Sequence, residues 1–175
     1  LMLLHGAQGK GKSTFVRHLL PPELKDYYRN GMISPDNKDH LLQMSSCLLI
    51  NLDEFDTLSP ARMQELKSLI TQDVMNERKV YDIQNYTFIR RASFIASTNN
   101  PHCLPDIGEN RRILFNTLLE IDYHTPVNHQ GIYAQAYALY RQGFQYWYEN
   151  QEITFLNNRN EAFRQKDPLE ENLFF

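Results

Sequence analysis

The sequence lacks the features of several large protein classes. It contains only two cysteines, Cys47 and Cys103, which are too few for the disulfide framework of a small secreted domain. Neither cysteine stands in a metal-ligand spacing. No apolar run approaches the length of about 18 residues that a transmembrane helix needs, and the opening run Leu1–Leu4 is too short for a signal peptide. We therefore expect a cytoplasmic protein with no membrane partner.

An excess of charge of either sign is also missing. The formal net charge is −3 and the isoelectric point is about 6.1, which argues against a strongly basic nucleic-acid-binding protein. The hydrophobic share of 42% and the charged share of 22% are typical of a globular domain. At 175 residues the chain is long enough for one domain with its own core. It starts at Leu1, directly on an apolar strand, which is compatible with a piece of a longer protein.

What the sequence does contain begins with a glycine-rich stretch, Gly6–Thr14. This stretch follows the pattern of glycine, four residues, glycine, lysine, then serine or threonine. The apolar run before it predicts a strand, and residues 12–20 after it predict a helix. A phosphate-binding P-loop needs that context, because loop N–H groups and the helix N-terminus then converge on an anion. An ordinary glycine-rich turn is the alternative, and the strand, loop and helix in register argue against it.

ATP and Mg²⁺ are the cofactors that this loop predicts. Lys12 is expected to reach the β- and γ-phosphates and to be essential for catalysis, while the Ser13 hydroxyl is expected to hold Mg²⁺. The residues assigned to the nucleotide are Gly6, Gln8, Gly9, Lys10, Gly11, Lys12, Ser13 and Thr14.

A second motif is the apolar run Cys47–Leu52, which ends in two adjacent carboxylates, Asp53 and Glu54. In a chain with a P-loop, this pattern predicts a Walker B element. Asp53 would hold Mg²⁺ through its water shell, and Glu54 would polarise the attacking water. A strand followed by a solvated acidic turn is the alternative. Glu54 favours hydrolysis over phosphate transfer to a small molecule.

A third strand is predicted over residues 92–98, and it runs into two asparagines before a proline. Asn99 or Asn100 is expected to contact the γ-phosphate or the attacking water, the role called sensor 1. The alternative is turn chemistry before Pro101. Further on, Arg111 and Arg112 precede a last core strand, and we expect their loop to carry them to the same end of the sheet. They would pair with carboxylates, or serve as a phosphate sensor and an arginine finger.

Residues 77–91 alternate aromatic and β-branched side chains around Gln84-Asn85, which predicts a hairpin. Four cations against Glu77 and Asp82 give this segment a net charge of +2. With its interleaved aromatic residues, it is the candidate surface for single-stranded DNA. A solvated ribbon whose aromatic residues pack on the core is an equally good interpretation. The residues assigned to DNA are Arg78, Lys79, Arg90 and Arg91.

Apolar residues at three- and four-residue steps predict two long helices, over residues 61–74 and 132–147. The second is rich in tyrosine and is expected to pack on the sheet or on a partner. Residues 157–166 predict one more short helix. We divide the chain into a P-loop ATPase core, residues 1–125, and a C-terminal helical extension of the same domain, residues 126–175.

Together these motifs resemble the virulence-associated protein E-like P-loop ATPases, a family that accompanies primase and helicase modules in phages and mobile elements. Besides the P-loop and the Asp53-Glu54 pair, the resemblance rests on Gly108–Arg112 and on Gln135–Gly143 with Trp147 after it. It implies an AAA+-like, three-layer αβα sandwich with C-terminal helices and a parallel sheet in the order 5-1-4-3-2. It also implies a homo-oligomeric ring, a primase partner and work on DNA.

The expected function is therefore Mg²⁺-dependent ATP binding and hydrolysis coupled to DNA replication, with helicase activity left open. A P-loop switch or scaffold that binds ATP without turnover is the leading alternative, and a small-molecule kinase is the third. Glu54 directly after Asp53 favours the ATPase over both.

Overall fold

A computed structural model of the protein describes residues 1–78, 85–104 and 110–165, without the side chains of residues 77, 78, 85 and 86. The strands are β1 (Met2–His5), β2 (Tyr28–Asn30), β3 (Leu49–Leu52), β4 (Val74–Arg78), β5 (Asn85–Ile89), β6 (Ser93–Thr98) and β7 (Leu114–Thr117). The helices are α1 (Lys12–Arg17), α2 (Lys38–Ser46), α3 (Pro60–Leu69), α4 (His129–Arg141) and α5 (Asn150–Glu161).

Five of the strands form one parallel sheet in the spatial order β2-β3-β6-β1-β7. Such sheets are covered on both faces, and their strands are accordingly apolar; all four residues of β3 are buried. Because the five strands run the same way, the residues that follow β1, β3 and β6 meet at one end of the sheet. The expected α/β fold with a parallel sheet is confirmed.

The core lies on both faces of this sheet. Successive side chains of a strand point to opposite faces, so Leu3 and Leu4 of β1 enter different clusters. Leu3 packs in the larger cluster, which includes buried residues of α2 and α3. Leu4 packs in a smaller cluster with Val16 of α1. Helices therefore cover the sheet from both sides.

The helix starts follow from local capping chemistry. The Asn37 side chain accepts hydrogen bonds from the first N–H groups of α2, and the Ser59 side chain does the same for α3, where Pro60 occupies the first position. Glu149 and Glu152 form a reciprocal capping box at α5. All three helices carry buried side chains, so the caps help to fix the helices that pack in the fold.

The predicted helix over residues 61–74 is too long. Helix α3 ends at Leu69, and Val74 instead opens β4, where it pairs with Ile89 of β5. The two strands form a separate antiparallel hairpin, so the predicted hairpin is confirmed in the described residues. Its turn is not centred on Gln84-Asn85, because Asn85 is paired within β5. Gln84 itself lies outside the described residues.

The C-terminal helices also differ from the prediction. Helix α4 ends at Arg141, and Gly143 follows with a left-handed φ of 71°, so the helix does not continue to Trp147. None of its residues is buried, which rules out the expected packing on the sheet. It contacts the chain after α1 through His129 Nε2, 2.7 Å from a carbonyl oxygen, and through the Tyr133 hydroxyl.

The remaining predicted boundaries shift as well. The short helix expected over residues 157–166 is α5, which starts earlier, at Asn150. The last core strand is expected over residues 113–121, whereas β7 covers only Leu114–Thr117. Of the helices in the described ranges, none has the length and apolar character needed to cross a membrane.

Candidate functional site at the carboxyl ends of the strands

A cavity of about 420 Å³ lies at the carboxyl ends of β1, β3 and β6. Ligands of open α/β sheets bind at this edge. The residues that line it are Gln8, Gly9, Lys10, Gly11, Lys12, Ser13, Thr14, Asp53, Glu54, Asp56, Ser97, Thr98, Asn99 and Tyr123. Three motifs that are far apart in the sequence therefore meet at one place, as their predicted strand ends require.

The glycine-rich loop leaves β1 and enters α1 through two left-handed residues. Gly9 has φ +78° and Gly11 has φ +80°, a backbone region that favours glycine. The Gly6 N–H donates to the Thr98 carbonyl at 3.3 Å, which ties the loop to the end of β6. The loop geometry thus depends on glycine and on the neighbouring strand.

Lys12 holds the centre of the site. Its ammonium donates to the carbonyl oxygens of Gly6 and Ala7, at 2.6 and 2.9 Å, and to Asn99 Oδ1 at 2.8 Å. Burial lowers the pKa of Lys12, and the carboxylates of Asp53 and Asp56 oppose that shift only in part. An ammonium has three N–H donors, so these contacts use all of them.

Asp53 is the half-buried member of the acidic pair. Ser13 Oγ donates to Asp53 Oδ2 at 3.0 Å, and Ser97 Oγ donates to the other carboxylate oxygen. Burial raises the pKa of Asp53, but the hydrogen bonds from Ser97 and Ser13 bring it below its usual value. The site therefore presents an ionised carboxylate beside a hydroxyl.

This pair of oxygen donors fits Mg²⁺, which keeps several waters and takes only one or two protein ligands beside phosphate. Within residues 1–78, 85–104 and 110–165, no group of three or more histidine, cysteine or acidic side chains is arranged to hold a metal. The donor set is thus of the sparse kind that Mg²⁺ uses, with Ser13 and Asp53 in contact as predicted ligands.

Glu54 and Asp56 are the other two carboxylates of the cavity. Glu54 is exposed and has a left-handed backbone, with φ 55°. Phe55 is fully buried and anchors the next turn. Asp56 accepts a hydrogen bond from Thr98 Oγ1 at 3.0 Å. The acidic edge of the site therefore has one exposed carboxylate and one carboxylate tied to the end of β6.

The structure separates the two asparagines that the sequence left as alternatives. Asn99 Oδ1 accepts from Lys12, so this side chain belongs to the cavity. Asn100 Oδ1 accepts from the His102 N–H at 2.9 Å and shapes the turn. The position of Asn99 suits the predicted sensor role, and turn chemistry describes Asn100.

Arg111 and Arg112 do not lie at the cavity. The Leu1 nitrogen donates to the Arg112 carbonyl at 3.0 Å, and the Leu114 N–H donates to the Leu1 carbonyl at 2.8 Å. Both arginines therefore lie at the amino ends of β1 and β7. The expectation that their loop reaches the same end of the sheet is wrong, because β7 runs parallel to β1 and starts at the far end. The four residues of β1 separate the two ends by roughly 13 Å.

A buried polar cluster supports these arginines from below. Lys67 Nζ, on α3, donates to Asn110 Oδ1 at 2.8 Å. Asn160 Nδ2, on α5, donates to the carbonyl oxygens of Asn110 and Ile113 at 3.0 and 2.7 Å. Lys67 is 3% exposed and Asn160 is 1% exposed. Burial, and then the charge of Arg112, lower the pKa of Lys67.

The predicted DNA surface is only partly described. Lys79 and the side chain of Arg78 lie outside the described residues. Arg90 is engaged within the fold: its guanidinium donates to the Gln72 and Ala92 carbonyls, both at 2.8 Å, and pairs with Asp73 at 3.1 Å. These contacts hold the Arg90 side chain against the residues around β4 and β6. Arg91 is exposed.

Four residues of the cavity were not predicted as site residues from the sequence: Asp56, Ser97, Thr98 and Tyr123. Ser97 is a polar residue at a buried position of the apolar strand β6, and a polar residue in such a strand is the sequence signal that could have indicated it. Asp56 is a third acid shortly after Asp53. Tyr123 carries no local signal, because only the fold brings it to the loop.

Comparisons with known proteins indicate the family and the fold of the chain. The sequence matches the model of the virulence-associated protein E-like domain over residues 1–165. Among curated proteins no match is found. The apo structure of the NrS-1 C-terminal region (305–718) is similar in fold, with a TM-score of 0.51 at 17% identity over 93% of this chain and 35% of that chain.

The A form apo structure of the same NrS-1 region has a TM-score of 0.48 at 17% identity over 93% of this chain and 33% of that chain. The chain thus spans about a third of the length of the solved chains that it matches.

Proposed function

The chain belongs to the virulence-associated protein E-like family, and we propose that it is a Mg²⁺-dependent ATPase with an AAA+-like P-loop fold. Within the large sheet alone, the five strands stand in the order 2-3-4-1-5, which is 5-1-4-3-2 read from the other edge. Helices on both faces give the three layers of the proposed αβα sandwich.

The observation that carries the proposal is the convergence of Lys12, Asp53 and Asn99 on one cavity, with hydrogen bonds from Lys12 and Ser13 to the residues that follow β6 and β3. Lys12 supplies the cation for the β- and γ-phosphates of ATP. Ser13 and Asp53 would hold Mg²⁺, which would supply positive charge beside the phosphates. The backbone N–H groups of the glycine-rich loop would bind the phosphate chain.

Glu54 is the proposed base. Its carboxylate lines the cavity while remaining exposed, so it can accept a proton from water. Asp53, in contrast, is already engaged by two serine hydroxyls. The two neighbouring carboxylates therefore have separate roles, with one for the metal and the other for water.

A coupling to DNA replication is proposed from the family membership. The DNA-binding surface would be the segment of residues 77–91, through Arg78, Lys79 and Arg91. A homo-oligomeric ring is proposed because Arg111 and Arg112 lie far from their own cavity and would serve a neighbouring subunit. A primase partner remains part of this proposal.

The position of the arginines also favours a second candidate, a nucleotide-binding switch without turnover. Among the described residues that line the cavity there are two lysines, Lys10 and Lys12, and no arginine. Hydrolysis that needs an arginine at the phosphates would then be slow until subunits assemble. Phosphate release measured across a range of protein concentrations distinguishes a switch from a ring ATPase.

Calorimetric titration with ATP and Mg²⁺ tests the binding step. Lys12→Ala should weaken ATP binding by about 10- to 100-fold, because a hydrogen bond to a charged group contributes about 1.5–3 kcal/mol. Lys25→Ala is the matched control, since Lys25 is exposed and outside the cavity. Equal ATP affinity of the parent and the Lys12 variant, with both folded by circular dichroism, would remove the phosphate-binding assignment.

A further inference from the structure

Tyr123 lies against the glycine-rich loop although it is more than a hundred residues away in the sequence. It follows β7, lines the cavity and packs on Gly11. A Cβ atom at Gly11 would lie 2.1 Å from Tyr123 Cδ1, so no side chain fits between the loop and the ring. Gly11 is therefore required both by its left-handed backbone and by the contact with this tyrosine.

A hydrogen-bonded turn holds the tyrosine in place. Asp122 Oδ1 accepts from the N–H groups of His124 and Thr125, at 3.1 and 3.0 Å. Asp122 Oδ2 accepts from the Thr125 hydroxyl at 2.6 Å. The His124 ring lies 4.2 Å from the Tyr123 ring, centre to centre, at an angle of 37°. The aromatic group is thus presented by a preformed turn.

The strand order determines which part of a nucleotide reaches this ring. β6 and β3, which carry Asn99 and Asp53, lie on one side of β1, and β7 lies on the other. With a spacing of about 4.8 Å between strands, β3 and β7 are roughly 14 Å apart. A nucleotide whose terminal phosphate lies beside Lys12 and Asp53 therefore extends its nucleoside toward the β7 side, where Tyr123 lies.

We propose that the nucleobase of the bound nucleoside triphosphate stacks on Tyr123. This inference rests on the proposed function, since it requires the triphosphate to occupy the glycine-rich loop. Every base has a π-face, so stacking tolerates different bases. Tyr123 therefore supplies affinity for a nucleoside over a bare polyphosphate, and purines, with their larger ring area, bind more tightly than pyrimidines.

The experiment compares ATP with inorganic tripolyphosphate, which has the phosphates but no base. Calorimetric titrations in Mg²⁺ use the full chain and its Tyr123→Ala and Tyr123→Phe variants. Tyr123→Ala should weaken ATP binding by about 10- to 100-fold and leave tripolyphosphate binding within about twofold. Tyr123→Phe should retain ATP affinity, because the ring remains. Tyr140→Ala is the matched control, since Tyr140 is 75% exposed and does not line the cavity.

The outcomes separate this inference from the proposed function. Equal losses for ATP and tripolyphosphate in Tyr123→Ala would mean that the ring only shapes the loop, which overturns base stacking. Unchanged ATP affinity in that variant would overturn it as well. If the parent binds neither ligand, the phosphate-binding function fails and the inference fails with it.

Discussion

Replacement of Asn99 by alanine tests how the site changes when a nucleotide enters. The Lys12 ammonium has three donors, and in this structure they go to two loop carbonyls and to Asn99 Oδ1. A phosphate must therefore displace at least one acceptor. The two carbonyls, of Gly6 and Ala7, belong to the loop that surrounds the phosphate, so Asn99 is the acceptor that gives way.

The magnitude follows from that exchange. A hydrogen bond to a charged group contributes about 1.5–3 kcal/mol, and Asn99 is exposed, so the lower figure applies. Asn99→Ala removes this competitor before the nucleotide arrives. ADP, which presents only its β-phosphate to Lys12, should then bind about tenfold more tightly. ATP should gain less, because it loses a sensor contact to the γ-phosphate.

The assay is calorimetric titration of ADP and ATP into the parent, Asn99→Ala and Asn100→Ala. Asn100 is the matched control, since its side chain bonds to the turn and not to Lys12. Turnover should fall in Asn99→Ala although ADP binds more tightly. Equal ADP affinity in Asn99→Ala and the parent would mean that the Lys12–Asn99 hydrogen bond does not oppose ADP binding. Competition between Asn99 and the phosphate for Lys12 would then be refuted.

Three further predictions concern separate parts of the molecule. Glu54→Gln should keep ATP affinity and reduce phosphate release by about 10²–10⁴-fold, since the amide cannot accept a proton; release at the parent rate would make Glu54 structural. Specific activity should rise with protein concentration, and mixing Arg111→Ala/Arg112→Ala chains with Lys12→Ala chains should restore part of the roughly 10³–10⁵-fold contribution of an arginine finger. Activity independent of concentration, without rescue, would contradict catalysis between subunits. Lys67 has a folded pKa below its usual 10.5, so the folded state releases this proton first and stability should rise with pH between the lowered pKa and 10.5. Urea denaturation at several alkaline pH values should show that rise in the parent and a smaller rise in Lys67→Met; identical pH dependence would exclude the contribution.

The residues that meet at the centre of the cavity carry signals that are local in the sequence. The glycine-rich loop is one continuous motif, and the strand before it and the helix after it can be predicted from adjacent residues. Asp53 and Asn99 could be added because residues after parallel strands share one edge of the sheet. The strands themselves are short apolar runs, and one rule of topology was enough to bring three motifs together.

The other features depend on contacts between parts of the chain that are distant in the sequence, and the periodicity of apolar residues does not predict those contacts. Val74 continues the apolar spacing of α3, yet it pairs with Ile89 in the hairpin. Helix α4 has an apolar pattern but none of its residues is buried. Tyr123 reaches Gly11 only through the fold, so nothing near either residue indicates the contact.

The placement of Arg111 and Arg112 is the error with the most consequence for mechanism. Their short distance from Asn99 in the sequence predicts the same end of the sheet, whereas the direction of β7 places them at the other end. Both side chains are exposed at the amino end of an edge strand. Burial of the Lys67 ammonium beneath them costs free energy unless its hydrogen bond to Asn110 offsets it.

The free-energy cost of burying Lys67 is consistent with a need to hold the loop of Arg111 and Arg112 in one position. A cation that acts on a phosphate in another molecule cannot be positioned by its own cavity, so the fold must fix it from behind. Asn160 binds the loop backbone on both sides of the two arginines, through the carbonyls of Asn110 and Ile113. The arrangement gives a rigid support with exposed charges at the edge of the sheet. The exposure of the two arginines and their separation of roughly 13 Å from the loop are what the proposed action between subunits requires.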